Sequence, residues 1–287
     1  FIPRSSPLAP VVGADNAVRC VYMGAAATIE NLTINNGHTL KYTPATMEEK
    51  AGAGIYCPAG GFVVSNCVIA SNHASWSGGG VYGAGWDCVF KDCVFEGNST
   101  DSQDGGGARY CSLTDCIVRD NVAADEGGGV SNCRMMRCSI YGNEARNGGG
   151  IKSGNVTACR IYGNRAERSG GGVWQGVLHS CLISGNAAGT GVYAAYGRGG
   201  GADWANLYNC TVVSNAATAS GGGAYWTEMR NCVVWGNTAP TNRNWDDALC
   251  TLEHSCTLPL PPGDGNITNA PAFVDAAGGD YRLGSQS

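Results

Sequence analysis

The sequence has few charged residues, no run of Lys or Arg, and no long apolar run. Asp, Glu, Lys and Arg make up only 14% of its 287 residues, and the formal net charge is −5 at pH 7. A slightly acidic chain without a Lys or Arg run has no positive field for phosphates, so nucleic acid is excluded as an expected partner. There is also no apolar run of about 18 residues, and therefore no transmembrane segment is predicted.

The first ten residues, FIPRSSPLAP, lack the charged and apolar regions of a signal peptide. The chain ends equally abruptly, at GSQS. We therefore expect a processed chain or a piece of a longer protein.

Glycine and cysteine, in contrast, are abundant, with 45 and 15 residues. The glycines have no three-residue period, which excludes a collagen-like fibre. Because the number of cysteines is odd, at least one thiol has no partner within the chain.

One motif recurs eight times: a cysteine, a β-branched or aromatic residue two positions later, and an asparagine five positions later. The cysteines are Cys67, Cys93, Cys116, Cys138, Cys159, Cys181, Cys210 and Cys232, and the asparagines are Asn72, Asn98, Asn121, Asn143, Asn164, Asn186, Asn215 and Asn237. Their spacing of 21–29 residues is typical of a solenoid.

Runs of three glycines separate the repeats, at 78–80, 105–107, 127–129, 148–150, 170–172, 199–201 and 221–223. Glycine costs about 1 kcal/mol relative to alanine inside a helix, and no 3.6-residue apolar period is present. A leucine-rich repeat has a similar length, but its motif is not joined to glycine runs. The pattern predicts an all-β fold, a right-handed parallel β-helix of about ten coils with 21–29 residues each.

We expect the β-helix, with an N-terminal lead-in segment, to occupy residues 1–249, and an irregular cap and tail to occupy 250–287. Stacked coils turn each repeated position into a column of like residues. The cysteines then become buried free thiols, and the asparagines bond to their equivalents in neighbouring coils. Cys250 and Cys256 lie outside the cysteine column and are predicted to bridge near the cap.

The pairing of GGG[VAI] with FEGN, IYGN and VSN resembles the GGA[ILV] and FxxN repeats of polymorphic outer membrane proteins and related bacterial β-helix passengers. The resemblance covers about residues 20–240. The segment PAFVDAAGGDYRL, at 271–283, looks like the closing segment of secreted pectate-lyase-like proteins. The resemblance implies this fold and secretion or display at a bacterial cell surface, but no particular activity.

The second and third residues after each glycine run vary in type, whereas the residues of the core columns do not. In the last coils these two positions include several aromatic residues. Such a face is typical of sugar stacking or protein binding. A longer repeat at 181–210 adds a loop within 187–198, which is predicted to form one wall of a groove. The predicted binding residues are Arg109, Tyr110, Lys152, Trp174, Tyr193, Tyr196, Asp203, Trp204, Tyr225 and Trp226. The expected ligand is a polysaccharide or another cell-surface ligand.

Acidic residues before the glycine runs suggest an enzyme instead. Asp104, Asp125 and Glu126 fall close together in neighbouring coils and form a candidate calcium site. The resemblance to pectate-lyase-like enzymes implies a polysaccharide lyase that uses such a cation, with Arg109, Arg119 or Lys152 as the base. A glycoside hydrolase is the other enzyme class that the fold suggests. No other cofactor is predicted.

The open ends of a solenoid suggest a third function. Strands at an end can pair with another molecule, and repeated contacts of this kind give filaments. The sequence leaves three hypotheses: a non-catalytic binding module, a lyase, and a self-assembling fibre subunit.

Overall fold

The chain winds into a parallel β-solenoid in the computed structural model, which describes residues 17–24, 27–41 and 46–284. The predicted N-terminal lead-in, before residue 17, lies outside the described residues. Three parallel sheets run along the solenoid, and the middle coils contribute strands to all three in turn. The predicted right-handed parallel β-helix is confirmed.

The first sheet follows the glycine runs. Its described strands are Val21–Tyr22, Thr28–Glu30, Ile55–Tyr56, Phe62–Ser65, Val81–Tyr82, Cys88–Lys91, Ala108–Arg109, Ser112–Thr114, Val130–Met136, Ile151–Thr157, Val173–His179, Ala202–Tyr208, Ala224–Tyr225, Glu228–Arg230 and Thr251–Glu253. In several coils it is split by a short interruption, whereas the central coils carry one continuous strand.

The second sheet follows the cysteine column and the third follows the asparagines. The described strands of the second are Thr33–Asn35, Val68–Ala70, Val94–Glu96, Ile117–Arg119, Ser139–Tyr141, Arg160–Tyr162, Leu182–Ser184, Thr211–Val213, Val233–Trp235 and Cys256–Thr257. Those of the third are His73–Ala74, Ser99–Thr100, Val122–Ala123, Glu144–Asn147, Arg165–Ser169, Ala187–Ala188 and Ala216–Ala217.

Three elements depart from this pattern. A short helix, Met47–Lys50, interrupts an early coil and begins with a capping box in which Thr46 and Glu49 bond to each other's backbone amides. A 3₁₀ helix, Gly191–Tyr196, fills the long insertion before the sixth glycine run. Phe273–Asp275 and Asp280–Leu283 pair antiparallel after the solenoid. Among the described residues, no helix is long and apolar enough to cross a membrane.

The asparagine column is the most regular feature of the interior. Asn98 donates from its backbone nitrogen and from Nδ2 to Oδ1 of Asn121, at 2.9 Å each, and Nδ2 also donates to the Ile69 carbonyl at 2.8 Å. The same bonds recur along the column, which ends on Asn244, a residue outside the sequence motif. Because a buried unpaired amide costs about 1–3 kcal/mol, each asparagine depends on its neighbours. The predicted stacking is confirmed.

The glycine runs bring successive coils too close for any side chain. Gly148 has a φ of +60° and begins the turn. A Cβ on Gly149 would lie 2.2 Å from the Arg165 carbonyl oxygen and 2.6 Å from that of Gly171. Glycine is therefore required by conformation at the first position and by backbone contact at the second.

Two predictions differ from the structure at the C-terminal end. The solenoid does not stop at 249, because Thr251–Glu253 and Cys256–Thr257 continue the first and second sheets in register. Cys250 and Cys256 do not bridge; they are free, as are the other cysteines. The two cysteines lie in successive parts of the last coil, and no disulfide joins them. Buried free thiols were correctly predicted for the main cysteine column.

Candidate binding groove

Two columns of outward side chains face each other across the glycine runs. The first, here the leading ladder, holds the residue before each run: Ser77, Asp104, Glu126, Asn147, Ser169, Arg198 and Ser220. The second, the trailing ladder, holds the second residue after each run: Tyr82, Arg109, Ser131, Lys152, Trp174, Asp203 and Tyr225. Because the first glycine turns the chain at positive φ, the two columns converge over a floor of bare backbone.

In several coils, contacts between the ladders join a leading residue to the trailing residue of the next coil. Arg109 Nη1 donates to Ser77 Oγ at 2.8 Å, and Ser220 Oγ donates to Asp246 Oδ2 at 2.7 Å. The Arg198 guanidinium lies 5.1 Å from the centre of the Tyr225 ring. The groove is thus a repeated product of the coil.

A third column forms one edge of the groove and is called the rim ladder. It holds Tyr110, Asn132, Ser153, Gln175, Trp204 and Trp226, whose φ values run from 47° to 64°. This left-handed conformation costs roughly 1–2 kcal/mol for most residues, and asparagine tolerates it best after glycine. The turn directs these side chains away from the core.

The middle of the groove is a cluster of ion pairs, the charged section. Lys152 Nζ lies 2.5 Å from Glu126 Oε2 and 3.2 Å from Asp104 Oδ2. Arg109 Nη2 approaches the same Asp104 oxygen at 3.6 Å, and Ser131 Oγ donates to it at 3.4 Å. All four charged side chains are largely buried, so each depends on its partners for charge compensation.

Burial and pairing act in opposite directions on this cluster. Burial raises the pKa of Glu126 despite the opposing hydrogen bond from Lys152. Burial alone would lower the pKa of Lys152, but the bond to Glu126 and the charge of Asp104 outweigh it and raise that pKa above its ordinary value. Lys152 is therefore held as a cation and is poorly suited to accept a proton.

The predicted calcium ligands do not converge. Asp104 and Glu126 share Lys152, whereas Asp125 points to Arg146, with 3.2 Å between Oδ1 and Nη1. Among the described residues, no group of three His, Cys, Asp or Glu side chains is arranged to hold a metal ion. Lysine and arginine already occupy the space that a cation would need, so this arrangement gives the calcium hypothesis no support.

The C-terminal part of the groove, the aromatic section, is different. It encloses a cavity of about 270 Å³ lined by Asn147, Arg168, Ser169, Trp174, Tyr196, Arg198, Asp203, Trp204, Tyr225 and Trp226. Trp204 and Trp226 are 50% and 46% exposed, with ring centres 4.1 Å apart. An open cavity with aromatic walls and a few polar groups is a usual form of ligand site.

The long insertion forms one wall, as its position before the sixth glycine run predicts. Tyr196, 56% exposed, lines the cavity from the end of the 3₁₀ helix. The Arg168 guanidinium lies 5.5 Å from the Tyr193 ring centre and 5.9 Å from that of Tyr196. Tyr193 thus supports the wall through Arg168 and does not line the cavity.

Asp203 is the buried acid of the aromatic section, with only 3% of its surface exposed. Burial raises its pKa to about 7, against the opposing effects of a hydrogen bond from Ser169 and the charge of Arg198. Its Oδ1 has no hydrogen-bond partner among the described residues. The site therefore contains one acceptor that the protein itself does not satisfy.

The sequence identifies the aromatic residues of this site better than the residues that face them. Trp174, Tyr196, Asp203, Trp204, Tyr225 and Trp226 meet around the cavity, whereas Arg109, Tyr110 and Lys152 lie in or beside the charged section. Arg198, Ser169 and Asn147 were missed as binding residues, although they stand at the repeated position before a glycine run. The glycine run itself is the sequence signal that could have placed them opposite the aromatics, because its first glycine allows the positive φ of a tight turn.

Comparison with known proteins agrees with the architecture. The family described as a right-handed beta helix region matches residues 81–239, more than half of the chain. The crystal structure of pectate lyase Pel9A has a TM-score of 0.50 and 13% sequence identity, over 89% of this chain and 81% of that one, a likeness of fold alone. No curated protein matches. The chain belongs to the right-handed β-helix family.

Proposed function

We propose that this chain is a non-catalytic β-solenoid, secreted or displayed at a bacterial surface, which binds a polysaccharide or other glycan in the aromatic section. The carrying observation is the placement of Trp204 and Trp226 in the rim ladder, half exposed and in contact. An aromatic ring face matches the apolar C–H face of a sugar ring.

The turn itself gives no reason for tryptophan at these positions. Asn132 forms the same left-handed turn in an earlier coil, and asparagine is better suited to it. Two adjacent tryptophans therefore carry a conformational cost without a compensating place in the core. A ligand that stacks on the rings accounts for that choice.

The test is glycan-array binding of the wild type and of the double variant Trp204→Asn with Trp226→Asn. Asparagine keeps the turn, so we expect an intact fold and at least about tenfold weaker binding, since aromatic anchors dominate such sites. Trp86→Ala is the matched control, because Trp86 is 45% exposed but does not line the cavity. Unchanged binding of a folded double variant would contradict the proposal.

A calcium-dependent polysaccharide lyase is the alternative, supported by the fold likeness to a pectate lyase. Absorbance of unsaturated product from uronate polymers, appearing only with Ca²⁺, would favour it over glycan binding alone. End-to-end assembly is a further alternative. Electron microscopy with and without millimolar Ca²⁺ tests it, because filaments would make assembly the function to pursue.

A further inference from the structure

Asp203 stands at the centre of the aromatic section. In the trailing ladder its neighbours are Trp174 in the coil before and Tyr225 in the coil after, each about 4.8 Å away along the solenoid. It is one of the residues that line the cavity, and only 3% of its surface is accessible. The carboxyl group therefore lies at the cavity wall, between two aromatic residues.

The protein satisfies only part of the carboxyl group. Ser169 and the Trp204 backbone amide lower the pKa of this carboxyl group, yet its buried Oδ1 has no hydrogen-bond partner among the described residues. The charged and titratable groups around it are Arg198, Arg168, Tyr196, Tyr225, Asp246, Cys250 and Lys152. Two of these are already engaged elsewhere: Asp246 with Ser220, and Lys152 in the charged section.

We propose that Asp203 is the specificity-determining residue of the groove, and that its carboxylate accepts a hydrogen bond from a hydroxyl group of a neutral sugar ring held between Trp174 and Tyr225. This inference rests on the proposed glycan-binding function. A buried acceptor without a donor is costly, and a hydroxyl donor supplied by the ligand removes that cost only when the ligand is bound.

A neutral sugar fits this position better than an acidic one. Arg168 and Arg198 also line the cavity, but a uronic acid ring held between Trp174 and Tyr225 would place its carboxylate directly beside the buried acid of Asp203. Like charges at short distance in a partly desolvated site repel strongly. A sugar hydroxyl carries no charge and is a donor of the required kind.

The same geometry makes binding depend on protons. A hydroxyl that donates to Asp203 stabilises the ionised form, so the bound carboxyl group has a lower pKa than the free one, which burial raises to about 7. Affinity should then rise with pH up to about neutrality and level off above it. Protonated Asp203 acting as a donor to the ligand would give the opposite trend.

The experiment measures dissociation constants by calorimetry at pH 5.5, 7 and 8.5, with cellohexaose, mannohexaose and hexagalacturonate as probes. For the tighter of the two neutral probes, we expect binding on the order of tenfold weaker at pH 5.5 than at pH 8.5. Asp203→Asn should bind weakly and without pH dependence. Asp246→Asn, which removes a neighbouring buried acid outside the cavity, should keep the wild-type pH trend.

Four results separate the possibilities. Tighter wild-type binding at pH 5.5, or preferred binding of hexagalacturonate, overturns the hydroxyl-donor assignment. An Asp203→Asn profile equal to the wild type, when the double tryptophan variant has lost binding, overturns Asp203 but keeps the glycan groove. Failure of the wild type to bind any probe or any arrayed glycan overturns both. A ¹³C carboxyl signal of Asp203 whose pKa falls on adding the neutral probe supports the assignment independently.

Discussion

The charged and aromatic sections of the groove are built on the same two ladders but differ in whether the protein satisfies its own polar groups. In the charged section Asp104 and Glu126 share Lys152, and their side chains fill the space between the ladders. In the aromatic section Asp203 leaves one oxygen unbonded beside an open cavity. The same two ladders therefore form a closed and an open site two coils apart, and the difference comes from their side chains and from the insertion that carries Tyr196.

The largest expected effect is a loss of folding stability that disrupts the charged and the aromatic section together. Gly149 lies in the run between Asn147 and Lys152, and an alanine Cβ there would collide with two backbone carbonyls. We expect Gly149→Ala to lower the free energy of unfolding by more than about 4 kcal/mol or to prevent folding, because backbone in adjacent coils cannot move aside locally.

The control for this variant is Gly163→Ala. Gly163 has a φ of +63° and nothing within 4 Å of an added Cβ, so only the cost of the left-handed conformation applies, about 1 kcal/mol. Urea unfolding followed by circular dichroism compares the two variants. Equal losses would mean that conformation, and not the approach of the coils, determines the need for glycine.

The second effect tests the burial of Asp203 through pH. Because its folded pKa of about 7 lies above the ordinary value of 3.8, the folded state holds a proton that the unfolded state releases. Stability therefore falls as pH rises from about 4 to 7, by up to about 4 kcal/mol. Relative to Asp203→Asn, the wild type should lose that amount between pH 4 and pH 8 in urea unfolding.

Asp115 provides a control of opposite sign. Its exposed pair with Arg137 lowers its pKa, so any stabilisation is present at neutral pH and is lost as pH falls. Asp115→Asn should therefore show no loss of wild-type advantage on going to pH 8. A pH-independent difference between the wild type and Asp203→Asn would show that Asp203 is accessible to water.

The third effect concerns the charged section, where the variant removes the shared cation. Lys152→Ala leaves Asp104 and Glu126 buried without their shared cation, and we expect a loss of about 3 kcal/mol in the free energy of unfolding. The exposed pair of Arg137 and Asp115 should matter much less, so Arg137→Ala is the comparison. Similar losses for both variants would place the charged section in effective contact with solvent.

The sequence predicts the solenoid because its physical requirements repeat. The asparagine column needs an amide at the same place in every coil. The regular spacing of Asn98 and Asn121 therefore predicts that they stack. Asn244 was missed, since it lies seven residues after Asn237 and takes the next place in the column through an irregular turn. The end of the solenoid at 257 was missed for the same reason, because its last coil lacks a glycine run.

The site is less predictable because it depends on pairs between ladders. Spacing brings Asp104 and Glu126 into neighbouring coils, which correctly suggests proximity, but it does not show that Lys152 from the next coil lies between them. Likewise, the sequence marks Asp203 as an outward residue and gives no sign that its side chain is buried. The position of Lys152 and the burial of Asp203 both depend on which of several facing side chains fills the space between the two ladders.

The smallest expected effect is the one that best separates function from stability. Trp204→Asn removes half-exposed ring contact with Trp226 but relieves the left-handed conformation at φ +57°. The aromatic pair is worth about 0.5–1.5 kcal/mol and the conformation costs a similar amount, so the net change in unfolding free energy should be below about 1 kcal/mol. Asn132→Trp, the reverse change in the charged section, adds the cost of the left-handed conformation without a second tryptophan in the rim ladder and should destabilise. If Trp204→Asn instead loses several kcal/mol in urea unfolding, the tryptophan is part of the fold, and its exposed face needs no ligand to explain it.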